Sequence, residues 1–346
     1  MGTNIFTADG GAKMLNVDGD MVVDVSDLLE LLADWGTAGT LTDLQDDVIV
    51  DVGFKSEGRI PIEEFPKPLN IKVGDDIDVF LVGHLDVPAL ALDGPALSIR
   101  RFGTMRLSED ELIVRDTLTA EIGQVGTQFD ALGHVGTRVT YEDGTEKDVF
   151  YNGFTREEVL SPGGLKALGT EKAGPIITRG LLIDIAGFKG VATLSSRHEV
   201  TIEDVQGALA RQGVDENDIQ PGDAVLFNYG WAVNWNNPPK YNNADYDHPE
   251  NDGSPGIGVA VARWLADKKV SLVGADSCCV EVIPNPDKSL FHPVHQELIT
   301  LHGIYMLENL DLRSLAGDEV YQFAFIFNPL RLKGATGSPG RPLAIR

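Results

Sequence analysis

Apolar positions along this chain fall into short runs rich in β-branched and aromatic residues, separated by Gly, Pro and Asp. Runs at 48–52, 78–82, 111–114, 176–185, 224–228, 270–274 and 322–327 predict strands, because such side chains suit a pleated, partly buried surface. Two stretches carry helical periodicity instead. Residues 202–212 follow Thr201, a hydroxyl N-cap candidate with Asp204 in the first turn, and residues 257–268 repeat apolar side chains at helical spacing. No internal repeat or low-complexity tract breaks the pattern. Strands interleaved with helices over this length predict an enzyme-sized α/β domain, with α+β as the alternative.

Composition narrows the classes. The 346 residues hold 28 Lys and Arg against 53 Asp and Glu, a net charge of −25. Such a surface repels phosphate backbones and anionic lipid, so neither nucleic acid nor membrane is expected as a partner. No apolar run reaches the roughly 18 residues of a transmembrane helix, and the N-terminus lacks a signal-peptide pattern. A cytoplasmic protein is the default expectation, with export the alternative if a leader has been removed. The two cysteines, Cys278 and Cys279, are neighbours and make no disulfide framework.

The charge is uneven. Residues 1–51 contain eleven acids against Lys13 alone, and the Gly/Thr stretch at 36–40 follows, so an acidic helical appendage at 1–40 is expected ahead of a main domain at 41–346. Within the appendage, Asn16, Asp18, Asp20, Asp24 and Asp27 stand at the spacing by which a loop gathers oxygens for Ca²⁺, and the Leu-rich helix pattern from Leu28 follows. This arrangement resembles a single dockerin-type, EF-hand-like calcium loop, except that Met21 occupies the usual turn glycine. The resemblance implies Ca²⁺ there. The alternative is an acidic cap on the Leu28 helix, with Ser26 or Asp27 at its N-terminus.

Chemistry concentrates between Gly123 and His134. Gln124, Gln128, Asp130 and His134 are all even-numbered, so an extended backbone would carry them on one face, where oxygen and nitrogen donors can converge on a metal. Taken singly, Gln128 could serve a strand edge and Asp130 could cap a turn. Elsewhere no Gly-x-Ser-x-Gly elbow occurs, and nothing local activates Cys278 or Cys279 as a thiolate, so a serine or cysteine nucleophile is disfavoured. Gly256 and Gly258 read as a helix start rather than a dinucleotide loop. Trp231 and Trp235, near Tyr241 and Tyr246, would either wall a substrate pocket or pack the core.

The pattern Gln-x₃-Gln-x-Asp-x₃-His resembles the signature of trans-dienelactone hydrolases within the cyclase superfamily that includes kynurenine formamidase and isatin hydrolase. Further blocks follow in family order: the Pro175 run to Asp184, Pro221 to Leu226, Gly230-Trp231, Pro255-Gly256, Gly274 to Asp276, Pro293-Val-His295, Glu308-Asn-Leu310 and Gly334 to Pro339. The resemblance implies a swivelling β/β/α domain, assembled as a homo-dimer or homo-tetramer. It also implies a divalent metal held by Asp130, His295 and Glu308, with Gln124 and Gln128 replacing two histidine ligands and His134 as the catalytic acid/base. Neutral, hard amide oxygens in place of imidazoles shift the expected ion toward Mn²⁺, with Zn²⁺ the alternative.

The implied function is metal-dependent hydrolysis of a small carbonyl substrate. A dienelactone-like lactone comes first, and a kynurenine formamidase- or isatin hydrolase-type amide second. A non-catalytic, calcium-dependent interaction protein is the reading from another class.

Overall fold

The computed structural model describes residues 126–241 and 252–346 in full, together with the backbone of six earlier strands. Those strands are β1 (Ala38–Leu44), β2 (Asp47–Asp51), β3 (Glu57–Pro61), β4 (Asp76–Leu81), β5 (Leu97–Arg106) and β6 (Leu112–Ala120). The expected calcium loop (Asn16, Asp18, Asp20, Asp24, Asp27), Gln124 and Tyr246 lie outside the described residues.

The centre of the molecule is a run of four parallel strands: β10 (Ile176–Asp184), β12 (Ala224–Asn228), β14 (Leu272–Ala275) and β15 (Tyr305–Glu308). Their sequences are nearly continuous apolar runs because helices or loops cover both faces of the sheet. Antiparallel strands extend each side. Beyond β15 come β7 (Gln128–Asp130) and β17 (Gly337–Pro339), and beyond β10 come β16 (Gln322–Phe327), β18 (Leu343–Ile345) and then β4. Smaller pairs are the hairpin β8 (Thr137–Thr140) with β9 (Glu146–Val149), and β11 (Glu199–Val200) with β13 (Gly256–Ile257). Expected and observed strands coincide closely at 176–184, 224–228 and 322–327.

Each expected helix forms for the reason its sequence gives. Helix Ile202–Gln212 opens on a capping box in which the Thr201 hydroxyl accepts from the Asp204 amide and the Asp204 carboxylate accepts from the Thr201 amide, both at 3.3 Å. It ends at Gly213 in the left-handed region, and buries Val205, Ala208 and Leu209 on one stripe. Helix Val259–Lys268 begins two residues later than expected, because Gly256 and Ile257 pair with β11 first.

These helices close one face of the sheet with Leu181, Ile183, Phe227, Tyr229 and Met306; the other face packs Leu182, Leu226, Leu307, Phe323, Phe325 and Phe327 with Leu315. The aromatic cluster resolves toward packing: Trp231, Trp235 and Tyr241 are all buried in the first of these cores. Among the described residues no helix is long and apolar enough to cross a membrane.

Gly180, on β10 opposite Phe323 of β16, lets that ring lie against the strand. A Cβ at Gly180 would meet the Phe323 ring at 2.1 Å. Gly180→Ala is therefore expected to destabilise the protein by about 1–3 kcal/mol, the usual cost of overpacking a filled core, read as a lower urea midpoint at unchanged m-value.

Candidate metal centre

Register, more than motif, assembles the site. Antiparallel pairing sets Gln128 opposite Glu308 and Asp130 opposite Met306, so Gln128, Asp130 and Glu308 share the helix-covered face while Phe129 and Leu307 point into the opposite core. A polar lashing holds the two strands in this register. The Thr127 hydroxyl donates to the Asn309 carbonyl at 2.6 Å, the Asn309 amide donates to the Gly126 carbonyl at 2.9 Å, and the Tyr241 hydroxyl donates to Asn309 Oδ1 at 2.9 Å.

His134 reaches the site by a different route from the one the even spacing predicts. The extended run stops at Asp130, and the chain turns: the Gly133 amide bonds the Leu168 carbonyl at 2.9 Å and the His134 amide bonds the Ala131 carbonyl at 2.9 Å. The turn brings His134 Nε2 to 3.9 Å from Asp130 Oδ1. His295 comes from the other direction, at the end of the short helix Pro293–His295 that continues as a wider π-type turn, Gln296–Leu301. Its Nε2 lies 3.3 Å from Glu308 Oε1 and 3.8 Å from Asp130 Oδ2.

Four expected residues with described positions, Gln128, Asp130, His295 and Glu308, thus converge, with His134 beside them. The Gln128 amide nitrogen donates to Glu308 Oε2 at 2.8 Å, which aims that carboxylate. Ligand atoms of Asp130, His134 and His295 all lie within 4.8 Å of one another, and so do those of Glu281, His292 and His295. Glu281 is absent from the sequence reading; its one signal is a lone acid between Val280 and Val282, both fully buried. It touches His295 Nδ1 directly and lies 3.3 Å from His292 Nδ1.

Burial dominates the electrostatics. It pushes the Glu308 carboxyl well above the usual carboxylate range, and the neighbouring Asp130 charge adds to this. Burial also acts against a charged His295, but hydrogen bonds to Glu281 and Glu308 outweigh it and raise the imidazole to about 10. Glu281 is lowered to about 2, its own burial being overcome by His292 and His295. Cys278 and Cys279 form no disulfide; Cys278 and burial together hold the Cys279 thiol well above its usual range, so it does not act as a ready nucleophile.

The donor set suits a divalent ion. Two buried carboxylates face each other across a histidine ring, and a shared cation would relieve their repulsion with oxygen and imidazole ligands that Mn²⁺ and Zn²⁺ both accept. A separate cavity of ≈ 610 Å³, lined by Lys189, His198, Trp231 and Lys240 among others, contains none of these residues.

Without metal, the raised His295 contributes stability that is fully present below pH 6.5 and lost as pH rises through about 10. The lowered Glu281 contributes stability present above pH 4.5 and lost as pH falls through about 2. The melting-temperature gap between chelator-treated wild type and His295→Gln should accordingly shrink from pH 6.5 to 10. A gap that stays constant or widens over that range contradicts the assignment.

Comparison with known proteins follows the same lines. A crystal structure of "a novel cyclase" matches with a TM-score of 0.56 at 24% identity, covering 92% of this chain and 89% of the other. An isatin hydrolase bound to the product analogue thioisatinate matches at 0.53 and 19% identity, covering 78% of this chain and 92% of the other. Isatin hydrolase A from Ralstonia solanacearum matches at 0.51 and 19%, with the same coverage. No curated protein matches. The Cyclase family model, described as "Putative cyclase", matches residues 68–282, and the chain belongs to that family.

Proposed function

We propose that the protein is a metal-dependent hydrolase that opens a lactone, with a cyclic or aryl amide as the second substrate class. The observation that carries this reading is the convergence of Asp130, His134, His295 and Glu308 on one buried point. In this reading Asp130, His295 and Glu308 hold the ion, Mn²⁺ before Zn²⁺, and the two glutamines Gln124 and Gln128 complete or brace the ligand set. An ion bound there supplies Lewis-acid polarisation of the substrate carbonyl and acidifies water.

The chain's own groups divide the remaining work. His295 is almost wholly buried, its side chain 6% exposed, whereas that of His134 is 26% exposed and so within reach of water. His134 is therefore the acid/base: it takes a proton at Nε2 as water attacks and returns it to the departing ring oxygen or nitrogen. Asp130 is close enough to His134 to steady the charged ring. The lack of an activated serine or cysteine among the described residues is consistent with water as the nucleophile. Lactones come first because of the Gln-x₃-Gln-x-Asp-x₃-His likeness to trans-dienelactone hydrolases. The fold shared with isatin hydrolases keeps cyclic amides second. Assembly as a homo-dimer or homo-tetramer belongs to the same proposal.

A panel of lactones and anilides, assayed with Mn²⁺-loaded protein, tests the reading. Turnover should disappear on chelation and return with Mn²⁺, and His134→Ala should lose about 10²–10⁴-fold in kcat while keeping its metal. Undiminished turnover after chelation, or full activity in His134→Ala, contradicts it.

A further inference from the structure

Glu281 is fully buried, and its carboxylate meets backbone amides and histidine ring nitrogens. Oε2 accepts from the Val294 amide at 3.2 Å; Oε1 accepts from the His295 amide at 3.3 Å, contacts His295 Nδ1 directly, and lies 3.3 Å from His292 Nδ1. Its backbone is pinned on both sides. The Ile257 amide bonds the Val280 carbonyl at 3.1 Å, the Val282 amide bonds the Ile257 carbonyl at 3.3 Å, and Gly256 leaves no room for even a Cβ against the Glu281 main chain. The carboxylate cannot withdraw to water, and an unpaired charge at this depth would be costly.

A neutral imidazole has one N–H and one lone pair, and the partner of the first decides where the second points. The two nitrogens of His295 face different worlds: Nδ1 meets Glu281, while Nε2 faces Glu308 at 3.3 Å and Asp130 at 3.8 Å. We propose that Glu281 is the positioning carboxylate of the metal centre, accepting a hydrogen bond from the Nδ1–H of His295 so that the proton stays on Nδ1 and the Nε2 lone pair is presented between Asp130 and Glu308. The contact between Nδ1 and Oε1 is direct, so in this assignment Glu281, His292 and His295 hold one another rather than a second ion. That trio is a brace for the centre beside it, with His292 meeting the same carboxylate oxygen as His295. The assignment rests on the metal reading of the site and extends it outward by one shell, to a residue that would never touch the ion or substrate.

Metal uptake provides a test independent of catalysis. Chelator-treated wild type, Glu281→Ala and Glu281→Gln are titrated with Mn²⁺ against a chromogenic chelator, and the histidine rings of Zn²⁺-loaded protein are followed by ¹⁵N NMR. Glu281→Ala should bind Mn²⁺ about 10–100-fold more weakly, the usual cost of losing such a partner, with the number of ions per chain unchanged. Wild type should show His295 protonated at Nδ1 and ligated at Nε2. Glu281→Gln has the same shape and keeps one oxygen to accept from the His295 amide and Nδ1, while its –NH2 replaces the oxygen that the Val294 amide meets; its His295 Nδ1–H resonance should move upfield as the charged acceptor is lost.

Wild-type affinity in Glu281→Ala, an unmoved Nδ1–H resonance in Glu281→Gln, or the loss of one whole ion from two would each overturn the assignment while leaving the metal reading in place. A wild type that takes up no ion overturns both.

Discussion

Two carboxylates, Asp130 and Glu308, are buried on neighbouring strands, and burial together with the Asp130 charge raises the cost of ionising Glu308. Side chains of this kind persist in a protein interior only when something cationic or strongly donating meets them. His295 enters between them with a ring already polarised by Glu281, the Gln128 amide turns its hydrogens on Glu308, and His134 is folded back over Asp130. The surrounding structure follows from that requirement. A divalent cation held there would meet both acids at once.

The scaffold contributes rigidity at one end of the sheet. Glu308 ends β15, which lies beside the parallel strands β14 and β12, so the site stands at the carboxyl ends of buried strands that cannot shift without disrupting two cores. The same edge carries Asp276, just beyond β14. Burial raises its carboxyl to about 7 even though backbone amides of Tyr229 and Ala232 donate to it at 2.8 and 3.2 Å, pulling the other way. Loops here are fixed by buried acceptors rather than by surface contacts.

Apart from β15, the parallel strands and both long helices were legible in the sequence, because continuous apolar runs and a capping box are local signals. β7 was not. Three residues, Gln128, Phe129 and Asp130, carry one apolar side chain between them, and they form a strand only because β15 and β17 receive them. The even spacing therefore placed Gln128 and Asp130 correctly on one face but mistook the approach of His134, which depends on a turn closed by Leu168. His295 and Glu308 were found by resemblance, since no spacing rule links residues so distant in the chain. Glu281 escaped because a single acid between Val280 and Val282 carries no motif or spacing that links it to the other site residues. That position is fully buried, and the histidines and backbone amides that meet it account for its burial.

The central claim is that Asp130 and its neighbours form a metal centre. Elemental analysis and Mn²⁺ titration of the chelator-treated chain, compared with Asp130→Ala, test it most directly. The account predicts tight, stoichiometric binding in the wild type and loss of that binding in Asp130→Ala with the fold intact by circular dichroism. Binding that survives the substitution unchanged, or a wild-type protein that retains no divalent ion, would contradict it.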